Sequence, residues 1–267
     1  MSRPWKPTPL LHASIALHGF AAAGAALVPG AWPWALGAVA TNQALLTVTG
    51  LLPRSTWLGP NWVSLPEAAA LRREVALTIY DGPEPEVTPR VLDLLDEAGA
   101  KATFFCIGRR ARQAPALCRE IVARGHRVEN HGDSHSNAFS LFGPRRMRRD
   151  IEAAQATLTD ITGQAPRFFR ATAGLRNPFL EPVLAGLDLQ LAAWTRRPFD
   201  TVNADPQRVL QRLTRDLGPG DILLMHDGHA ALTPSGEPVI LSTLPSLMRA
   251  LMDARLIRVT LRVAARP

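Results

Sequence analysis

The chain has 267 residues, 46% of them hydrophobic, and a formal charge of +7, which is enough length for one substantial core plus an additional segment. The two cysteines, Cys106 in an apolar run and Cys118 in a helix-like one, exclude a disulfide framework and are expected to be reduced packing residues. The positive charge comes without interleaved aromatics or zinc-finger spacing, so nucleic acid is not an expected partner.

The first element is apolar. Between Pro7 and Pro53 there is no Asp, Glu, Lys or Arg, and residues 10–28 and 31–52 are each long enough to cross a hydrocarbon core, which takes roughly 20 helical residues. Pro29 and Gly30 separate them, and Trp32 and Trp34 suit an interface. Residues 1–54 are therefore predicted to form a transmembrane helical hairpin, in preference to a signal peptide followed by a buried helix. Arg3 and Lys6 before the first span and Arg54 after the second favour the cytoplasmic face of the cell (inner) membrane for the rest of the chain. Residues 55–72, rich in Pro and Trp, read as a linker.

From 73 to 267 strands and helices alternate. Predicted strands cover 75–79, 102–107, the neighbourhood of Val128, 167–170, 189–194, 222–226 and 256–261. Predicted helices cover 88–98, 116–123, 144–159, 206–217 and 241–254. Repeated β-then-α units mean a parallel sheet covered by helices, and their number suits an α/β fold of the distorted, incomplete (β/α) barrel kind. The cluster Arg145, Arg146, Arg148 and Arg149 is expected to be a solvated helix face, with anionic lipid headgroups or a lipid-linked phosphate as the alternative contact.

Several strand ends carry chemistry. Asp81 closes the run TIYD, and His131 and His135 stand four apart in ENHGDSHS. On a helical turn that spacing puts both imidazoles on one face. Two histidines and one carboxylate leave an open position on a divalent ion, where a water pKa falls to about 7. His226 ends a buried run, placed to hand a proton to a leaving group, with Asp227 or Asp200 available to orient it. Arg170 ends another strand, where unpaired charge is poorly tolerated. Trp194 reads as core, and His126 and His229 as structural or surface residues.

Five stretches in this order, TIYDGP, ENHGDSHS, FFRATAG, WTRRPFDT and LLMHDG, resemble the polysaccharide deacetylase family, the NodB-homology group or carbohydrate esterase family 4. The resemblance runs from about Arg73 to the C-terminus and leaves the apolar segment outside. It implies a catalytic domain with a distorted (β/α) barrel that removes an N-acyl group, usually acetyl, from an amino sugar by means of a divalent metal, often zinc. By position it implies Asp81, His131 and His135 as metal ligands and His226 as the general acid for the departing amine. Asp200 falls where a carboxylate tunes that histidine, Arg170 at the arginine that orients the base, and the Ala173 backbone at an oxyanion contact.

The sequence departs from that pattern at a critical place. The family's first motif reads T-F-D-D-G-P, with the first Asp as base, and here that position is Tyr80. R-P-P-Y-G becomes R-A-T-A-G, and Gly132 and Asp133 replace a hydroxyl and a variable residue. A phenol with a pKa of about 10 does not serve as a carboxylate base at neutral pH. Asp133 and Asp227 are the carboxylates nearby in sequence that could take its place, though neither occupies the matching position. The expected activity is N-deacylation of an amino sugar in a membrane-proximal or lipid-linked glycan, with turnover impaired at Tyr80. The competing expectation is a membrane protein that binds metal and carbohydrate without useful turnover.

Overall fold

The alternation of β1 (Glu74–Tyr80) explains how the sheet is built. Val75, Leu77 and Ile79 face a core shared with the helices, whereas Ala76 and Tyr80 face a second core enclosed by the sheet. The structure is a computed structural model that describes residues 3–266. Before β1 come α1 (Pro9–Leu27), α2 (Trp32–Gly50) and α3 (Glu67–Leu71). After it follow α4 (Thr88–Glu97), β2 (Thr103–Cys106), α5 (Gly108–Gln113), α6 (Pro115–Ala123), β3 (Arg127–Asn130) and α7 (Pro144–Thr162). The last part holds β4 (Phe168–Phe169), α8 (Leu180–Gly186), β5 (Gln190–Leu191), α9 (Pro206–Thr214), β6 (Ile222–His226), α10 (Val239–Asp253), β7 (Ile257–Val259) and α11 (Leu261–Ala264).

All described strand pairs are parallel, in the order β5-β4-β3-β2-β1-β6. β7 pairs with Glu74–Ala76 of β1, and β2 with Thr78–Tyr80. The sheet curls until the chain beyond β5 reaches β6, where Arg196 bridges to Leu223 and the Thr195 amide donates to the Ile222 carbonyl at 2.9 Å. This is the distorted, incomplete (β/α) barrel expected from the alternation. Helix faces follow the apolar stripes: Val91, Leu92 and Leu95 are buried on α4, and Met147, Ile151, Ala154 and Leu158 on α7. Arg145, Arg146 and Arg149 are exposed on the opposite face of α7. Cys106 and Cys118 are free and buried.

Three differences from the sequence reading have local causes. The helices α3, α5 and α8 are short, at 5, 6 and 7 residues, too few turns for a periodic signal. β4 and β5 keep only two paired residues each, because the chain beyond them leaves the ladder toward the barrel mouth. His131 and His135 lie on an irregular loop after β3, with His135 itself at φ 47°, so their four-residue spacing acts without a helical turn.

At the other end α1 and α2 pack against each other through polar pairs, Asn42 Nδ2 donating to Ser14 Oγ at 2.6 Å and Gln43 Nε2 lying 3.1 Å from His18 Nε2. Among the described residues α1 alone is long and apolar enough to cross a membrane, so the expected pair of spans is supported for one helix. The foot of the pair is seated on the barrel. Leu11, Leu46 and Leu58 form a small core, and Arg3 reaches Glu181 at 2.6 Å. The Arg176 amide donates to the Gly50 carbonyl at 3.1 Å, and a Cβ on Gly50 would collide with the Arg176 carbonyl. Residues 55–72 are packed rather than free: Trp62 bridges to Ala192, and the Leu65 amide donates to Gly220 at 2.8 Å.

Candidate metal centre and active site

The carboxyl ends of β1, β3, β4 and β6 deliver Asp81, His131, Arg170 and His226 to one rim, the edge at which barrels of this class place their chemistry. Asp81 follows β1 in a left-handed conformation, φ 72°, which turns its carboxylate across the mouth. Gly82 is required behind it, since any Cβ there would collide with the Asp227 carboxylate.

Asp81 Oδ1 lies 2.9 Å from His131 Nε2 and 3.1 Å from His135 Nε2, and the three ligand atoms are within 4.8 Å of one another. His131 supplies the test of whether a cation fits. Its Nδ1 is 2.8 Å from the Arg170 carbonyl, an acceptor, so this nitrogen carries the hydrogen. Burial lowers the His131 pKa, although Asp81 opposes the shift, and so favours the neutral ring. A neutral ring tied in this way turns a lone pair toward a carboxylate oxygen 2.9 Å away. A cation between the two resolves that opposition, and a ring N–H bound to a backbone carbonyl is the usual support of a metal-ligating histidine. One carboxylate and two imidazoles fit a divalent ion with an open position. Burial acting alone would raise the Asp81 pKa, but the imidazoles gathered around it, His135 and His229 among them, hold it well below the usual carboxylate range.

His229 corrects an expectation. Read from sequence as structural or surface, it is half exposed, yet its Nδ1 lies 3.2 Å from Asp81 Oδ2 and its ring is 5.9 Å from that of His135. Arg110, paired with Glu84, holds its Nε2 at 3.1 Å. The available signal was its position three residues after His226, in the loop leaving β6 at the same rim. His126 does take a structural place: it is buried, its Nδ1 accepts from the Ala102 amide at 3.1 Å, and burial pushes its pKa down to about 4.

His226 is held twice by Asp200, whose Oδ1 lies 2.6 Å from Nδ1 and whose Oδ2 accepts from the His226 amide at 2.8 Å. Both residues are buried. This arrangement fixes Nδ1 as the hydrogen-bearing nitrogen and leaves Nε2 toward the mouth. Asp227, the other suggested partner, instead accepts from Thr88 Oγ1 at 2.5 Å, and burial pushes its pKa up to about 6. Asp133 is paired with Arg112 at 2.6 Å. Both carboxylates are engaged, so neither is free to serve as the base that the resemblance implies at position 80.

Tyr80 occupies the middle of the site. It is 3% exposed, with its ring centroid 4.0 Å from that of His226 and 4.9 Å from that of His131. Burial first, and then the Asp81 charge, raise the phenol above its ordinary range, so it stays protonated. Arg170 is fully buried and has no carboxylate partner among the described residues. Its Nε and Nη2 donate to the carbonyls of Ala192 and Ala193 at 3.0 and 2.6 Å, and its Nη1 to Thr78 Oγ1 at 2.8 Å. Burial lowers its pKa to about 9. Ala173 sits in a left-handed turn, φ 54°, and Trp194 is buried against Gly174.

The family profile described as polysaccharide deacetylase matches residues 68–192. A chitooligosaccharide deacetylase from Bradyrhizobium is 34% identical over 166 residues, 62% of this chain and 74% of the relative. The chain belongs to the polysaccharide deacetylase family. A second relative in the family, a peptidoglycan-N-acetylglucosamine deacetylase from Bacillus cereus, is 33% identical over 156 residues, 58% of this chain and 72% of its own length. Among solved structures, a family 4 carbohydrate esterase from Streptomyces lividans in complex with acetate superimposes with a TM-score of 0.63 at 31% identity, covering 69% of this chain and 91% of the esterase. Polysaccharide deacetylases of this kind depend on a metal, and the cluster of Asp81, His131 and His135 is a plausible place for one in this chain.

Proposed function

We propose that this chain is a zinc-dependent N-deacylase of amino-sugar glycans at a membrane surface, probed and restrained by Tyr80. The observation that carries the reading is the aromatic ring of Tyr80 packed between His226 and His131, beside a cluster otherwise suited to a metal. In this reading residues 73–267 are the catalytic unit, 55–72 join it to the membrane, and 1–54 anchor it. Asp81, His131 and His135 would hold a zinc ion, which would supply Lewis acidity at the scissile amide. His226 would act from its doubly protonated form, with Nδ1–H held by Asp200 and the Nε2 proton given to the departing amine. Arg170 is poised for a carboxylate that the sequence does not provide, and no residue at the rim removes a proton as the missing aspartate would.

The substrate class is taken from the relatives, which act on chitooligosaccharide and on peptidoglycan N-acetylglucosamine. The membrane surface is inferred from α1 and from its seat on the barrel. Pro53 lies against Gly174, on the turn next to Trp194, so the foot of the helical pair adjoins the site. This adjacency favours a lipid-linked or membrane-proximal glycan. With Arg3 engaged by Glu181, the cytoplasmic assignment rests on Lys6 and Arg54, and labelling of single cysteines from either side of intact membranes tests it.

The test of function is acetate release from N-acetylglucosamine oligomers and lipid-linked acetamido sugars by the full chain loaded with zinc. Slow release that requires zinc and disappears in His226→Ala supports the reading. Sugar binding with no release supports a second reading favoured by the buried Tyr80, a binding protein of the same fold.

A further inference from the structure

Positive charge collects without a partner at one lip of the site. In the stretch from Trp194 to Asp200, Arg196 is paired, its Nε 3.0 Å from Asp221 Oδ2. Its neighbour Arg197 is not. The Arg197 Nε is buried with no hydrogen-bond partner, and the side chain forms no ion pair among the described residues. Its guanidinium is held against two rings, 5.4 Å from the centre of Trp194 and 4.8 Å from that of Phe199. A second guanidinium, Arg212 of α9, lies 5.0 Å from the same Phe199 ring and also lacks an ion pair among the described residues. Ring contacts of this kind attract a cation weakly, whereas a buried donor left unmatched loses the whole of its hydration. The rings therefore position the donors without satisfying them.

The platform is built rather than loose. Phe199 has φ 60°, a left-handed conformation that a bulky residue keeps only where its surroundings impose it. The amides of Val202 and Asn203 both donate to its carbonyl, at 3.1 and 2.8 Å, and fix the turn. Asp200, the next residue, holds His226, so the platform adjoins the site. On the other side, Trp194 meets Gly174, which meets Pro53 at the foot of α2.

We propose that Arg197 and Arg212, steadied by Phe199, form an anion subsite at the lip of the deacetylase site, and that it takes a phosphate carried by the amino-sugar substrate. Both guanidinium groups lie within 5.0 Å of the Phe199 ring centre, and planar forks that donate to several oxygens suit phosphate better than a single carboxylate. The sugar part of this proposal rests on the function proposed above, but the anion part does not. The phosphate has two possible sources, a soluble sugar phosphate or the lipid phosphate of a membrane-borne glycan, and the position beside the foot of α2 makes both reachable.

The experiment uses the full chain in detergent micelles without added metal, titrated with inorganic phosphate, N-acetylglucosamine and N-acetylglucosamine 1-phosphate. Wild-type protein should prefer the phosphorylated sugar, and Arg197→Gln should weaken phosphate and sugar phosphate by about 10- to 100-fold while leaving the neutral sugar unchanged. Arg212→Gln should give a smaller loss, and Arg197→Lys an intermediate one, since it keeps charge but not the fork. Polyprenyl phosphate in the micelles should displace phosphate from wild type if the lipid is the source, and leave it bound if the source is soluble. Phosphate binding that needs Arg197 and gains nothing from the sugar upholds the subsite and removes the glycan reading. Equal phosphate binding by wild type and both glutamine variants, or no phosphate binding by a folded wild type, overturns the subsite.

Discussion

Replacing Tyr80 by aspartate should turn a restrained site into a competent one. The side chain at this position lies 5.5 Å, ring centre to guanidinium carbon, from Arg170, whose fork is already fixed by two carbonyls and Thr78. A carboxylate there gains the cation that Arg170 now presents to an aromatic ring. A positioned base contributes about 10²- to 10⁴-fold in rate, or about 2.7–5.5 kcal/mol of barrier, and that is the gain expected for Tyr80→Asp. The same change removes a ring packed on two imidazoles, and truncating a core aromatic destabilises by about 3–5 kcal/mol, part of which the new ion pair offsets. The assay is acetate release by zinc-loaded protein held well below its melting temperature, with zinc content measured for every variant. Tyr80→Asn is the decisive control, because it opens the same space and supplies no base. If Tyr80→Asn gains as much as Tyr80→Asp, the ring acts only as a plug and the argument from the missing base is wrong. If Tyr80→Asp folds, holds zinc and binds sugar yet gains nothing, the assignment of position 80 to the base fails.

Other residues give independent checks. Asp81→Ala and His131→Ala should each weaken zinc binding by at least about tenfold, read by calorimetry, and unchanged affinity would contradict the proposed ligand set. His229→Ala should weaken it less, because His229 reaches Asp81 from the exposed side. His126 should make stability depend on pH. Its folded pKa of about 4 lies below the ordinary 6.5, so its stabilising effect is complete above about pH 6.5 and is lost as pH falls toward 4. The loss amounts to at most about 3–4 kcal/mol, and urea unfolding of metal-free His126→Gln should lack that step. Gly50→Val should loosen the foot of α2 from the barrel, seen as faster proteolysis near Ser55, since a Cβ there meets the Arg176 carbonyl.

Much of the barrel was legible in the sequence because its elements repeat. Apolar positions on α4 and α7 recur at helical spacing over several turns, and β6 was read at its observed bounds because an apolar run of strand length ends at His226. Short elements escaped for the opposite reason. α5 and α8 complete too few turns to show a period, whereas β4 and β5 were placed but read too long, because which of their residues pair depends on neighbours distant in the chain. The pair His131 and His135 was found by its spacing, but the loop after β3, not a helical turn, is what brings the rings together. His229 carried only its position three residues after His226.

The sequence by itself determined that apolar segments alternate with turns in β-then-α order, and that position 80 carries a phenol where the family resemblance implies a carboxylate. These are properties of neighbouring residues and of side-chain chemistry, which exist before the chain folds. Only the tertiary structure decided that the Tyr80 ring lies between His226 and His131, that Arg170 turns to backbone carbonyls, and that His229 joins Asp81. Those contacts depend on the curl of the sheet, which sets the distances between residues far apart in the chain.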